Sequence, residues 1–424
     1  MFFYSTNKKS PLVDFPTALF AGLAPDGGLY MPEKIPHFSP KERAALVGLS
    51  LPEVGLHVLQ KWIDDIPEPQ LKKIVTQSLR FPLPLQQVGE HTILELFHGP
   101  TKAFKDVAAG VLAQLFEYYL ERDKKTLTIL VATSGDTGGA IAQAFSDLKR
   151  VKVVILYPAG RVSALQEEQL TRVGANVRTL AVAGDFDACQ SYVKQAFLDP
   201  DLAHLSLSSA NSINIGRLLP QIIYYVWTYA QLPKEQLQFI IPSGNMGNVT
   251  AGLFAAKMGL PLSFVIATNE NDVAVKYYQT GTFNKQKTRQ TLSTAMDIGN
   301  PSNFVRLLAL FQYDHQAFCK KIEAVKVTDQ ETIATIKHIS QANKYLLDFH
   351  TAVAVTAATH RKHNRGRPII IATAAPMKFA SEIQQATDIV LDDSAEIKRL
   401  QKFPKRVTNV ANSYQAIKKS LTQS

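Results

Sequence analysis

Two cysteines, Cys189 and Cys319, are all that the 424 residues contain. So few exclude a disulfide framework and a four-thiolate metal site, and they fit a reducing, cytoplasmic compartment. There is no His-Glu-x-x-His pair, and the ten histidines show no metal-ligand spacing, so no metal is expected. Long apolar runs are missing too. The longest, Leu218 to Leu232, is interrupted by Pro220 and Gln221 and falls short of the ~20 residues a bilayer requires, so no membrane partner is expected. Met1 to Asn7 shows no basic segment leading into an apolar stretch, which argues against a secretory signal. Neither Gly-x-Gly-x-x-Gly nor a Walker-type Gly-Lys-Ser/Thr loop occurs, which disfavours dinucleotide and ATP binding.

Charge is modest and spread out: 46 Lys+Arg against 36 Asp+Glu gives a formal +10. The densest cluster is Arg361, Lys362, Arg365 and Arg367. It follows the apolar helical stretch Thr351 to Thr359, where cations suit the negative end of a helix. No nucleic acid partner is expected, while small anionic ligands are compatible with the balance.

What is present is a soluble-enzyme composition, 46% hydrophobic and 19% charged, at a length that suits two or three domains. Residues 1–80 are rich in turn signals, such as Pro25-Asp26-Gly27-Gly28, and read as an N-terminal subdomain. A helical pattern from Lys41 to Trp62 is broken by Pro52. From Lys105 onward, short apolar runs (127–131, 151–157, 177–182, 205–207, 238–241, 262–267 and 369–372) alternate with helical stretches. That alternation predicts βαβ units and parallel sheets, hence an α/β fold with ligands at the carboxyl ends of strands. The more polar stretch from about 271 to 330 reads as an insertion.

Three segments carry chemistry. Thr133-Ser134-Gly135-Asp136-Thr137-Gly138-Gly139 joins a strand to a helix, so its amides and hydroxyls converge as an anion site or simply cap the helix. Ser243-Gly244-Asn245-Met246-Gly247-Asn248 follows the next strand and can form a backbone nest for a phosphate. Glu95 to Asp106 brings Lys105 to a helix start, where burial and the positive pole both disfavour its ammonium form. Alone, a lysine at a helix start is usually just solvated, and the segment gains weight only from its company.

Together these segments say more. Phe97-His98-Gly99-Pro100-Thr101 with Ala103-Phe104-Lys105-Asp106 resembles the pyridoxal-phosphate (PLP) lysine motif of the threonine synthase family. So, in the same order, do Thr133 to Gly138, Asn211-Ser212-Ile213-Asn214 with Arg217, Ser243 to Asn248, Asp297 to Asn303, His350 to Val353 and Thr373-Ala374-Ala375-Pro376-Met377-Lys378-Phe379. Leu23 to Tyr30 resembles the family's opening segment, so the likeness spans nearly the whole chain. It implies fold type II: two open, mostly parallel twisted sheets flanked by helices, with the cofactor in the cleft between domains. The expected division is 1–80, then 81–107 with 216–424 as the large PLP-binding domain, and 108–215 as the small domain.

The resemblance implies that Lys105 is the Schiff-base lysine and that Gly244, Asn245, Met246, Gly247 and Asn248 cradle the cofactor phosphate. Thr373 would reach the pyridine nitrogen and Asp136 the 3′-oxygen. Ser134, Thr137, Asn211, Ser212, Asn214 and Arg217 would bind the substrate, O-phospho-L-homoserine, which becomes L-threonine and phosphate. Met246 stands where Phe is frequent, Ala375 where His is frequent, and Ile215-Gly216 where a bulkier pair is common, all of which bear on packing around the site. His98 and His350 are expected to orient loops. Rival readings are a phospholyase or a serine/threonine dehydratase of the same fold, and a non-catalytic sensor of phosphorylated metabolites, which would have no use for Lys105. A monomer or homodimer is expected.

Overall fold

The computed structural model of the chain describes residues 1–233 and 235–422. Near the start, β1 (Phe2–Ser5), β2 (Val13–Asp14) and β3 (Tyr30–Pro32) form a small antiparallel sheet. Pro52 does not break a helix, as the sequence pattern suggested. Two short helices, Pro40–Ala45 and Leu51–Leu59, each begin with a proline in the first turn and a Ser-x-x-Glu capping box. A first-turn N–H has no intrahelical acceptor, so proline starts these helices at no cost in hydrogen bonds.

The remaining strands are β4 (Leu85–Val88), β5 (His91–Glu95), β6 (Leu127–Ala132), β7 (Val151–Pro158), β8 (Val177–Val182), β9 (Leu207–Ser208), β10 (Leu237–Pro242), β11 (Leu262–Thr268), β12 (Ile322–Lys326), β13 (Arg367–Ala372) and β14 (Val407–Val410). They assemble into a six-stranded sheet, β12-β11-β10-β13-β5-β4, and a five-stranded one, β14-β8-β7-β6-β9. All pairings within them are parallel except β4 with β5. Strands β6, β10 and β11 are buried along their whole length, as sheets covered by helices on both faces require. Alternation decides which core each side chain joins. Phe239 and Ile241 face the core shared with Ile129 and Ile155 of the small sheet, while Ile240 packs with helix Phe349–His360 behind the large sheet.

Two expectations need correction. The stretch read as an insertion supplies β12, an edge strand of the large sheet, and helices Val273–Thr280, Phe304–Leu310 and His315–Lys321. The C-terminal end, expected in the large domain, instead lays β14 beside β8, and helix Tyr414–Thr422 packs against Phe186–Leu198 of the small domain.

Parallel pairing sends the turns after β5, β13 and β10, three adjacent strands, to one edge of the large sheet. The turns after neighbouring β6 and β9 share an edge of the small sheet in the same way. Arg306 braces the ground between them. Fully buried, it donates to the carbonyls of Tyr30, Ser212 and Ile213 and to Asn303 Oδ1, at 2.7–3.2 Å. Arg306→Met would leave these acceptors without a donor, and it should cost about 3 kcal/mol in urea unfolding. A loss under about 1 kcal/mol would mean that the recovered cost of burying the cation offsets them.

Candidate active site

Lys105 opens the helix Lys105–Asp123, and the loop before it is fastened by its neighbour. Asp106, buried, accepts from the Thr101 amide at 2.9 Å and the Thr101 hydroxyl at 2.5 Å. Gly99 makes room for this: a Cβ there would lie 2.5 Å from Asp106 Oδ2. Backbone bonds from Leu96 N to Ala372 O and from Phe104 N to Thr373 O, at 3.0 and 2.8 Å, lay the loop along the end of β13. Lys105 and Thr373 are thereby brought to the same place.

The Lys105 side chain is 14% exposed, and its Nζ lies 3.6 Å from Asp136 Oδ2. A carboxylate so near would favour the charged amine, yet the Lys105 pKa is lowered: burial dominates, and Lys378 and Arg217 add to it against Asp136. Asp136 starts the helix after β6 and is held well below the ordinary carboxylate range. Burial pushes it up, but the ammonium groups of Lys378 and then Lys105 pull it down further. Gln166 Nε2 donates to Asp136 Oδ1 at 2.9 Å. Lys378 stands in the Thr373 to Phe379 segment, and the sequence alone suggests no role for it. It is completely buried and reaches the same oxygen at 2.9 Å. The only signal for it was a lysine in an otherwise small and apolar strand-end segment.

The turn 243–248 lies at the end of β10. Met246 takes a left-handed conformation (φ 61°) directly before the helix Gly247–Lys257, which turns successive amides outward. Asn245 is pinned on both sides, Nδ2 to Ser212 Oγ at 2.7 Å and Oδ1 from Ser302 N at 2.5 Å. A Cβ on Gly244 would meet Met296 Cα at 2.7 Å and Ala295 O at 2.8 Å. His350 holds that opposing segment: its Nδ1 pairs with Asp348 at 2.6 Å, and its Nε2 accepts the Ala295 N–H at 3.2 Å. His98 pairs with Glu95 at 2.7 Å. Each histidine is thus paired with a carboxylate close by in sequence. Tyr224 and Tyr225 each donate to Asn248 Oδ1 at 2.6 Å, leaving Asn248 Nδ2 buried without a partner.

Ser134 and Thr137 flank Asp136, half-buried, while the Thr133 hydroxyl closes the turn by accepting from Gly135 N and Gly138 N. Asn211 reaches across from the end of β9 to Ala132 O at 2.9 Å, and its Oδ1 is buried without a partner. Arg217 is buried with one hydrogen bond, to Ala210 O at 2.6 Å, and an unpartnered Nε. Burial lowers its pKa to about 10, against the pull of Asp106. Asn214 departs from expectation. Both donor bonds go to Leu19 O and Ser209 O, and its oxygen caps Gly216 N, so its amide serves the fold.

Buried donors with nothing to bind, Arg217 Nε after β9 and Asn248 Nδ2 after β10, fit an anionic ligand beside an amine. The whole chain fits one family. Residues 81–372 match the model for pyridoxal-phosphate dependent enzymes, residues 2–79 that for the threonine synthase N terminus, and residues 351–421 that for the threonine synthase C-terminal region. Threonine synthase of Escherichia coli K12 is 39% identical over 423 residues, covering 98% of each chain. The chain belongs to the threonine synthase family. The Haemophilus influenzae threonine synthase is also 39% identical, over 99% of each chain. The crystal structure of PLP-bound threonine synthase from Brucella melitensis superposes with a TM-score of 0.92 at 35% identity, covering 100% of this chain and 99% of that one. Membership makes this a PLP-dependent lyase of fold type II, and no helix among the described residues is long and apolar enough to cross a membrane.

In a threonine synthase the residues present fit PLP: Lys105 offers an amine for the aldehyde, and the unpartnered Asn248 Nδ2 and the 244–248 amides offer donors for the phosphate. Gly244→Ala forces backbone against backbone, so PLP affinity should fall at least about tenfold by equilibrium titration. Wild-type affinity in this variant would mean that the turn does not touch the cofactor.

Proposed function

We propose that the chain converts O-phospho-L-homoserine and water to L-threonine and phosphate at this site, in the cytoplasm, with Lys105 as cofactor anchor and proton carrier. The observation that carries the assignment of Lys105 is a buried lysine of lowered pKa on the sheet edge that also ends in the 243–248 turn. Bound PLP supplies the electron sink that makes the substrate Cα and Cβ protons removable.

The chain's own residues do the rest. Gly244, Asn245, Met246, Gly247 and Asn248 would hold the cofactor phosphate, Asn248 through the Nδ2 that Tyr224 and Tyr225 orient. The Thr373 hydroxyl would serve the ring nitrogen and, unlike a carboxylate, would not force that nitrogen to keep a proton. Asp136 Oδ2 would serve the 3′-oxygen. Lys105 Nζ would anchor the cofactor and, as a free amine, would take the proton from Cα and serve Cβ and Cγ in turn, its flexible stem sweeping one face of the site. Ser134 and Thr137 hold the substrate carboxylate or phosphate, and Asn211 Oδ1 and Ser212 line the same pocket. Arg217 pairs with the departing phosphate through its unpartnered edge. Asn214 contributes by fixing the loop and not by direct contact. A buried guanidinium without an acidic partner favours a phosphorylated substrate over the plain hydroxy amino acid of a dehydratase.

Purified protein given PLP and O-phospho-L-homoserine should yield threonine and phosphate in equal amounts. Phosphate with 2-oxobutanoate and no threonine would select a phospholyase instead. Lys105→Ala should lose turnover by at least about 10³-fold together with the visible absorbance of the bound cofactor. Arg217→Met should lower kcat/KM by about 10²-fold, through lost charge-assisted bonds to phosphate, and an unchanged kcat/KM would remove Arg217 from the substrate site.

A further inference from the structure

Lys378 lies in the short turn Pro376–Phe379 and has no exposed side-chain surface. Its ammonium donates to three acceptors from three segments: Thr101 O at 2.6 Å, Gln169 Oε1 at 2.9 Å and Asp136 Oδ1 at 2.9 Å. Its own carbonyl accepts from Ser163 Oγ at 2.6 Å. One large-domain residue thus clasps the loop that leads to Lys105 and two helices of the small domain, Asp136–Phe145 and Ala164–Thr171. Three acceptors exhaust the donors of an ammonium. Lys378 therefore has no hydrogen left for a ligand.

We propose that Lys378 is a positioning residue for the reaction: it claims one oxygen of Asp136, fixing the carboxylate with Oδ2 toward Lys105 and denying Lys105 an exclusive counter-ion. The inference rests on the reading of Lys105 as the cofactor lysine. Four charged groups face or flank the Lys105 amine: Asp136 and Arg217, Lys378 across the carboxylate, and Asp106 on its own helix, paired with Thr101. An isolated Lys105–Asp136 pair in a buried site would stabilise the ammonium, and a protonated amine cannot attack an aldehyde or take a proton from Cα. The second cation shares the carboxylate and adds repulsion, so the balance tips toward the free amine. Anchoring Asp136 to the turn that begins with Thr373 also keeps the groups expected around the cofactor ring in one rigid unit.

The test uses full-length protein stripped of PLP, acylated with acetic anhydride across a pH series, with modification of Lys105 quantified by mass spectrometry. Only the neutral amine reacts, so the rate reports its titration directly. Lys378→Met should move the Lys105 midpoint up by about one pH unit or more, roughly a tenfold slower rate on the acid limb. Lys378→Gln keeps a donor for the same acceptors but loses the charge, and it should shift the midpoint the same way. Asp136→Asn should shift it down, since the carboxylate 3.6 Å from the amine is gone. An unmoved midpoint in a folded Lys378 variant, or shifts of one sign for Lys378 and Asp136, overturns the proposal. Failure of both neutral variants to fold, judged by circular dichroism, would also overturn it by assigning Lys378 to the fold alone. Protection of wild-type Lys105 by added PLP is read separately, and its absence would sink the cofactor assignment and not the clasp.

Discussion

Backbone hydrogen bonding between β5, β13 and β10 is the constraint from which the site follows. β13 pairs with β5 from Ile369–Thr92 to Ala372–Glu95, and with β10 from Leu237–Arg367 to Ile240–Ile370. The pairing does not stop where the strands end. Leu96 N still bonds Ala372 O, Phe104 N bonds Thr373 O, and Ala103 bridges Ala374. Lys105 is therefore placed by main-chain bonds within a residue of its own Cα, and side-chain packing only refines it. Such placement suits the role proposed for Lys105, in which the amine would return to the same carbon atoms in every turnover.

Around that amine the chain gathers charges that a folded core normally avoids. Asp136 lies against Lys105 and Lys378, and Asp106 pulls on Arg217, while burial pushes the Asp106 pKa up. Burying cations without matching anions costs stability. Here the deficit matches the chemistry, because the cofactor and the substrate each bring a phosphate. The same imbalance weakens the proton affinity of Lys105, so one arrangement both attracts the anions and frees the nucleophile. The unpartnered Arg217 Nε and Asn248 Nδ2 show where that attraction has not been met from within.

Much of this was legible in the sequence, because strand-end loops have few solutions. Ser243 to Asn248, Thr133 to Gly138 and Lys105 lie where a βαβ pattern put them, and β8 matches its expected span. What escaped depended on partners distant in sequence. Lys378 shows its purpose only once Thr101, Asp136 and Gln169 are seen to converge on it. Asn214 sits in a motif of polar residues, and nothing local reveals that Leu19 O, nearly two hundred residues earlier, uses its amide. β12 and β14 went unread because edge strands carry short, mixed patterns, and the exposed Thr408 and Asn409 do not announce a strand that pairs with β8.

The most direct measurement is borohydride reduction of the PLP-loaded protein followed by peptide mapping, since two buried lysines approach the same carboxylate and only one is held to be the anchor. The account predicts a phosphopyridoxyl group on the peptide containing Lys105 and none on the peptide containing Lys378. A label on Lys378, or one spread over surface lysines, would contradict it.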